Sequence, residues 1–147
     1  MSLWEITMLK ATNAFSTQDY VEAKRLNKCA LKIARQGLEE EFKVDPEAAL
    51  ASVMVCLFNL SDIAIYQQQP QQACEYLLQT VTDIQNLPTP ISQLQQHAIL
   101  RSVQQIRMEW QRFNQHYPHH FMALDNSQQL QHHLWQIDNQ LHALRAH

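Results

Sequence analysis

The side chains best suited to chemistry are the histidines, and seven of the eight lie in the last third of the chain: His116, His119, His120, His132, His133, His142 and His147. Imidazoles one helical turn apart bind zinc, copper or nickel, and His116 and His120 have that spacing. Pro118 interrupts the helix that would align them, and no nearby Cys or Glu completes a ligand set. No metal ligand is assigned on this basis. Protonation of all eight would carry the net charge from −3 to +5, so a histidine-based metal or pH sensor stands as one reading. Cys29, Cys56 and Cys74 form no CxxC pair and have apolar neighbours. That is the pattern of buried free thiols in a reducing, cytoplasmic compartment.

Acyl-transfer, phosphate and dinucleotide chemistry find no footing. GxSxG, P-loop, HExxH and GxGxxG motifs are absent. Most of them need glycine for positive φ or close backbone approach, and the chain has one glycine, Gly37. The expectation is a non-enzyme with no catalytic residue and no cofactor. Lys24, Lys28, Lys32 and Arg35 line one polar stripe, read as a solvated face. No Lys or Arg occurs between Lys43 and Arg101, so that stretch cannot follow a phosphate backbone. The most apolar run, 48–58, is too short to span a bilayer, and no signal peptide is visible. Neither nucleic acid nor membrane is expected as a partner. What remains is Asn59 and Asp62, two polar groups inside an apolar helix. They must pair within the core or face a groove.

Helices must position these groups. Almost no glycine, five prolines at junctions and a 46% apolar composition point to a single all-α domain over 1–147 with short links. Ser2 with Glu5 starts helix one, whose inner face is Trp4, Met8, Ala11 and Phe15. Helix two follows Thr17-Gln18-Asp19, with Ala23, Leu26, Ala30, Ile33, Ala34, Leu38 and Phe42 in one stripe. It either continues through Gly37 or ends there. Asp45-Pro46-Glu47 starts helix three, apolar on nearly every side and therefore central. Pro70 opens helix four. Thr89-Pro90 opens helix five, with Ile91, Ala98, Ser102, Ile106, Trp110, Phe113 and Tyr117 on one face. Asp125-Asn126-Ser127 caps helix six. Its Leu130, Leu134, Ile137, Leu141 and Leu144 form a short heptad-type seam, which admits a helical homodimer as an alternative. Short links make neighbours antiparallel. The expected architecture is three stacked hairpins, about 2–43, 45–86 and 90–145.

Two stretches look alike. Asp19-Tyr20-Val21-Glu22-Ala23 with Ala30-Leu31 resembles the turn and second helix of a tetratricopeptide repeat. Leu57 to Val81 repeats the arrangement, with Ser61 and Ala73 in the small-residue places of Ala11 and Ala23. Ala23 and Ala73 lie 50 residues apart, where that family's period is 34. The resemblance implies an adaptor that holds a partner's peptide or helix on the inner face of the first helix of each pair. The matching partner-binding positions are Met8, Thr12 and Phe15 in helix one, and Phe58, Asn59 and Asp62 in helix three. Some members of the family place an asparagine at Asn59 to hold a peptide's C-terminal carboxylate. The basic and amide partners it needs fall on Met8 and Thr12, which cannot serve.

Overall fold

The computed structural model describes residues 1–90, 92–118 and 121–145, the side chains of 121–127 and 145 excepted. They form six helices and no strand among the described residues. These are α1 (Leu3–Ser16), α2 (Tyr20–Val44), α3 (Pro46–Tyr66), α4 (Pro70–Gln85), α5 (Gln93–His116) and α6 (Phe121–Arg145). The fold is all-α. Side-chain caps set the early starts. Ser2 Oγ accepts from the Glu5 N–H at 3.1 Å, the Asp19 carboxylate from Glu22 at 3.2 Å and the Asp45 carboxylate from Ala48 at 3.1 Å. Pro46 and Pro70 sit in first turns, where a missing N–H is no loss.

Two starts differ from expectation. Helix α5 is capped by Ser92, not Thr89. Ser92 Oγ accepts from the Gln95 N–H at 3.0 Å, and the Gln95 side chain accepts from the Ser92 N–H at 3.3 Å. This reciprocal box satisfies two orphan donors where a single cap satisfies one. Helix α6 begins at Phe121 and runs through Asp125-Asn126-Ser127. Such residues are only mildly unfavourable inside a helix, and an added turn of backbone hydrogen bonds outweighs their capping preference. Ile91, expected on the inner face of α5, lies outside the described residues. Cys29 is exposed while Cys56 and Cys74 are buried. It stands one position off the α2 stripe, next to the fully buried Ala30.

Helix α2 is continuous through Gly37. The left-handed caps that normally use glycine do occur, but glutamines occupy them: Gln18 has φ 62° and Gln68 has φ 58°. In the first hairpin Asp19 N–H donates to Ala14 O and Gln18 N–H to Phe15 O. In the second, Gln69 N–H donates to Ala64 O and Gln68 N–H to Ile65 O. Both are Schellman closures. Gly37→Ala is expected to stabilise the chain by about 1 kcal/mol, because an added Cβ meets no atom within 4 Å. Gln18→Gly should gain up to about 1 kcal/mol by relieving the left-handed residue. Denaturant midpoints at unchanged slope check both.

The helices alternate between two layers, α1, α3 and α5 in one and α2, α4 and α6 in the other. Within each layer they run parallel, tied by polar contacts between residues about fifty positions apart. Lys24 donates to Gln72 at 3.2 Å, and Arg35 pairs with Asp83 at 2.8 Å. Gln85 meets His133 and Gln136, each at 3.1 Å. Arg101 pairs with Glu47 at 2.6 Å and Arg112 with Asp62 at 2.5 Å. The turns at Gln18 and Gln68 share this spacing, so the first four helices form two equivalent units of about fifty residues.

Helix α3 is the centre, with Leu50, Val53, Met54, Leu57 and Leu60 buried and α2, α4 and α5 packed round it. It is the described helix long and apolar enough to cross a membrane, and here its apolar sides are taken by other helices. Leu130, Leu134, Ile137 and Leu141 are buried within the chain, and Leu144 packs against the same core. Helix α6 lies more against α4 than against α5, so the third hairpin is splayed. Most of the seam is therefore spent on contacts within the chain, while Ile137, Leu141 and Leu144 also line a hollow with Ile84 and Leu87.

Candidate functional site

The parallel set α1, α3 and α5 leaves one side of the molecule uncovered by the second layer. Two hollows lie there and share Phe15 and Asp62. The larger, about 1040 Å³, is bounded by Phe15, Asp62, Tyr66, Arg112, His116 and Tyr117. The smaller, about 150 Å³, lies between α1, α2 and α3 and is lined by Thr12, Phe15, Asn27, Asn59 and Asp62. Four of the six expected residues, Thr12, Phe15, Asn59 and Asp62, therefore meet in one place. Met8 and Phe58 line neither hollow. Both are half-buried against the core, and Met8 Sδ lies 3.7 Å from Cys56 Sγ. Burial pushes the Cys56 thiol up to about 11, opposed by the Trp4 indole and Arg35, so this sulfur is neutral and unreactive near neutral pH.

Aromatic rings form one wall. Phe15 stands edge-on to Tyr66 at 5.3 Å and to Tyr20 at 5.6 Å, while Tyr20 and Tyr66 stack at 5.4 Å. Offset and edge-on pairs of this kind hold their geometry by about 0.5–1.5 kcal/mol each. Tyr66 is nonetheless 60% exposed, so the wall presents apolar surface to solvent. On the far side, His116 and Tyr117 meet at 4.6 Å at the end of α5.

The polar floor is built by pairing. Asn59 Nδ2 donates to Asn27 Oδ1 at 3.2 Å, and Asn27 Nδ2 donates to the Ala23 carbonyl at 2.8 Å. Arg112 bonds Asp62 at 2.5 Å and Glu109 at 2.6 Å. One guanidinium thus serves two carboxylates. Burial pushes the Asp62 carboxyl up to about 6, with Arg112 pulling it down and Glu109 pushing it further up. Between the ordinary aspartate pKa and that value, the folded chain holds a proton that the unfolded chain releases. The contribution of Asp62 to stability is thus complete below about 4 and lost as pH rises through about 6. Asp62→Asn should flatten that part of the profile and raise stability at pH 8 by about 1 kcal/mol. A shift of this size sets a higher ceiling, but the side chain is 33% exposed and solvent screens it. Asp83, also raised by burial, keeps its own share of the slope. Urea titrations from pH 4 to 8 check the pair, and a variant less stable than wild type at pH 8 contradicts the expectation.

Tyr66, Arg112 and Tyr117 were not marked as site residues by their types and spacing, and His116 was weighed only as a metal ligand. Asn27 carried the usable signal, a polar residue beside Leu26 on the buried stripe of α2. Among the described residues the histidines form no cluster with metal-binding side chains. His133 bonds Gln85, His132 stacks on Trp135 at 6.2 Å, and His142 is exposed. His119, His120 and His147 lie outside the described residues. No three of His, Cys, Asp and Glu converge among the described residues.

The family model described as "Protein of unknown function (DUF2753)" matches residues 2–143. The chain belongs to this family. No curated protein matches it, and no solved structure does. The match reaches into all six helices, so the groove of this DUF2753 member lies wholly inside the family's extent.

Proposed function

We propose that this chain is a small adaptor that holds a peptide or helix of another protein on the uncovered side of α1, α3 and α5. The observation that carries the reading is the convergence of Thr12, Phe15, Asn59 and Asp62 on two adjoining hollows. A side with an exposed aromatic anchor and a few fixed polar groups has the make-up of a recognition surface. The resemblance to tetratricopeptide repeats supports the same use of the first helix of each pair, here with units of about fifty residues. Two buried thiols and one exposed one suit a reducing compartment such as the cytoplasm.

Selection of a random peptide phage library on the wild-type chain should return enriched clones. Their binding should fall about tenfold or more on Phe15→Ala, the loss expected for an anchor aromatic. Failure to enrich any peptide above an unrelated helical protein would overturn the reading.

A further inference from the structure

The smaller hollow keeps hydrogen-bond acceptors open beside a carboxylate. Asn27 uses Nδ2 on the Ala23 carbonyl and Oδ1 on Asn59 Nδ2. The Thr12 hydroxyl donates to the Met8 carbonyl at 3.0 Å. Arg112 occupies one oxygen of Asp62. Left over are the acceptors Asn59 Oδ1, the second Asp62 oxygen and the lone pairs of Thr12, together with one N–H each on Asn27 Nδ2 and Asn59 Nδ2. The charge is the one-sided part, because Arg112 is divided between Asp62 and Glu109. Phe15 and Ala11 supply apolar wall beside these acceptors.

An occupant without donors would strip water from the acceptors and give nothing back, at a cost to binding. An anion would also meet the under-compensated carboxylate. A cationic head supplies donors and charge together, and its aliphatic stem can lie along an aromatic ring. At about 150 Å³ the hollow takes one side-chain head, while the adjoining hollow of about 1040 Å³ has room for the backbone that carries it.

We propose that the subsite between α1, α2 and α3 receives a Lys or Arg side chain of the bound peptide, its stem along Phe15 and its head against Asp62, Asn59 and Thr12. This rests on the adaptor reading and names what the groove selects.

The test uses three labelled nonapeptide pools, random except for a central Lys, Arg or norleucine, titrated against the full chain by fluorescence anisotropy. At least one cationic pool should bind about tenfold tighter than the norleucine pool, and added salt should reduce that advantage. In Asp62→Asn, checked for native circular dichroism, the preference for the cationic pools over norleucine should shrink to about twofold or less. Equal binding of all pools, or a preference that survives Asp62→Asn, overturns this inference and leaves the adaptor reading standing. Absence of binding by every pool removes both.

Discussion

Leu57→Ala is expected to cost the fold about 3 kcal/mol, the largest single loss foreseen for this chain. Leu57 is fully buried at the middle of α3, the helix that α2, α4 and α5 all pack against. Truncation removes transfer free energy and leaves a void that three neighbouring helices cannot all move to fill, which places the cost within the 2–5 kcal/mol range for buried leucines. Domains of this size hold about 5–15 kcal/mol in total, so a large part of the stability goes with one side chain. Guanidinium unfolding should show a lower midpoint at unchanged slope. Leu9→Ala is the matched control. Leu9 is 52% exposed on the outer side of α1, and its loss should stay within about 0.5 kcal/mol. Similar costs at both sites would mean that α3 is not the core.

Ala73→Leu is expected to cost about 2–3 kcal/mol by the opposite mechanism. Ala73 is fully buried where α4 approaches α3, and its carbonyl accepts from Ser61 Oγ at 3.2 Å. That bond holds the two backbones close, and the methine and two methyl carbons that leucine adds have nowhere to go without parting them. Ala23→Leu should behave alike. Ala23 is also fully buried, fifty residues earlier, in the hairpin that α2 forms with α1. Ala51→Leu, on the exposed side of α3, should be close to neutral. If Ala73→Leu were tolerated as easily as Ala51→Leu, the close approach of α3 and α4 would not be a constraint, and the equivalence of the two hairpins would lose its physical basis.

The helices and their order were readable because their signals are local. Asp45-Pro46 caps and starts a helix within one turn, and the stripe of Ala23, Leu26, Ala30, Ile33 and Ala34 follows from helical period alone, although the structure buries Leu31 more deeply than Ile33 or Ala34. The errors were local competitions: Ser92 with Gln95 outdid Thr89-Pro90, and α6 ran through an Asp-Asn-Ser group that resembles a cap. The left-handed turns carried no glycine to announce them. Gln18 and Gln68 take positive φ because two backbone hydrogen bonds close each turn, a constraint that residue type does not reveal.

The candidate site divides in the same way. Phe15, Asn59 and Asp62 could be named from the chain because each sits out of character or on an inner stripe within its own helix. Arg112 could not. Its meaning comes from lying fifty residues from Asp62 on a parallel helix one unit away, and nothing in its own neighbourhood records that. The same holds for the Leu130–Leu141 seam, an apolar stripe whose period is plain but whose partner is not. Periodicity tells a helix which side to bury, since that depends on 3.6 residues per turn. Which surface covers that side depends on how whole helices stack, and here the stacking joined Asp62 to Arg112, placed Asn27 under Asn59 and set Leu130 and Leu134 into the chain's own core.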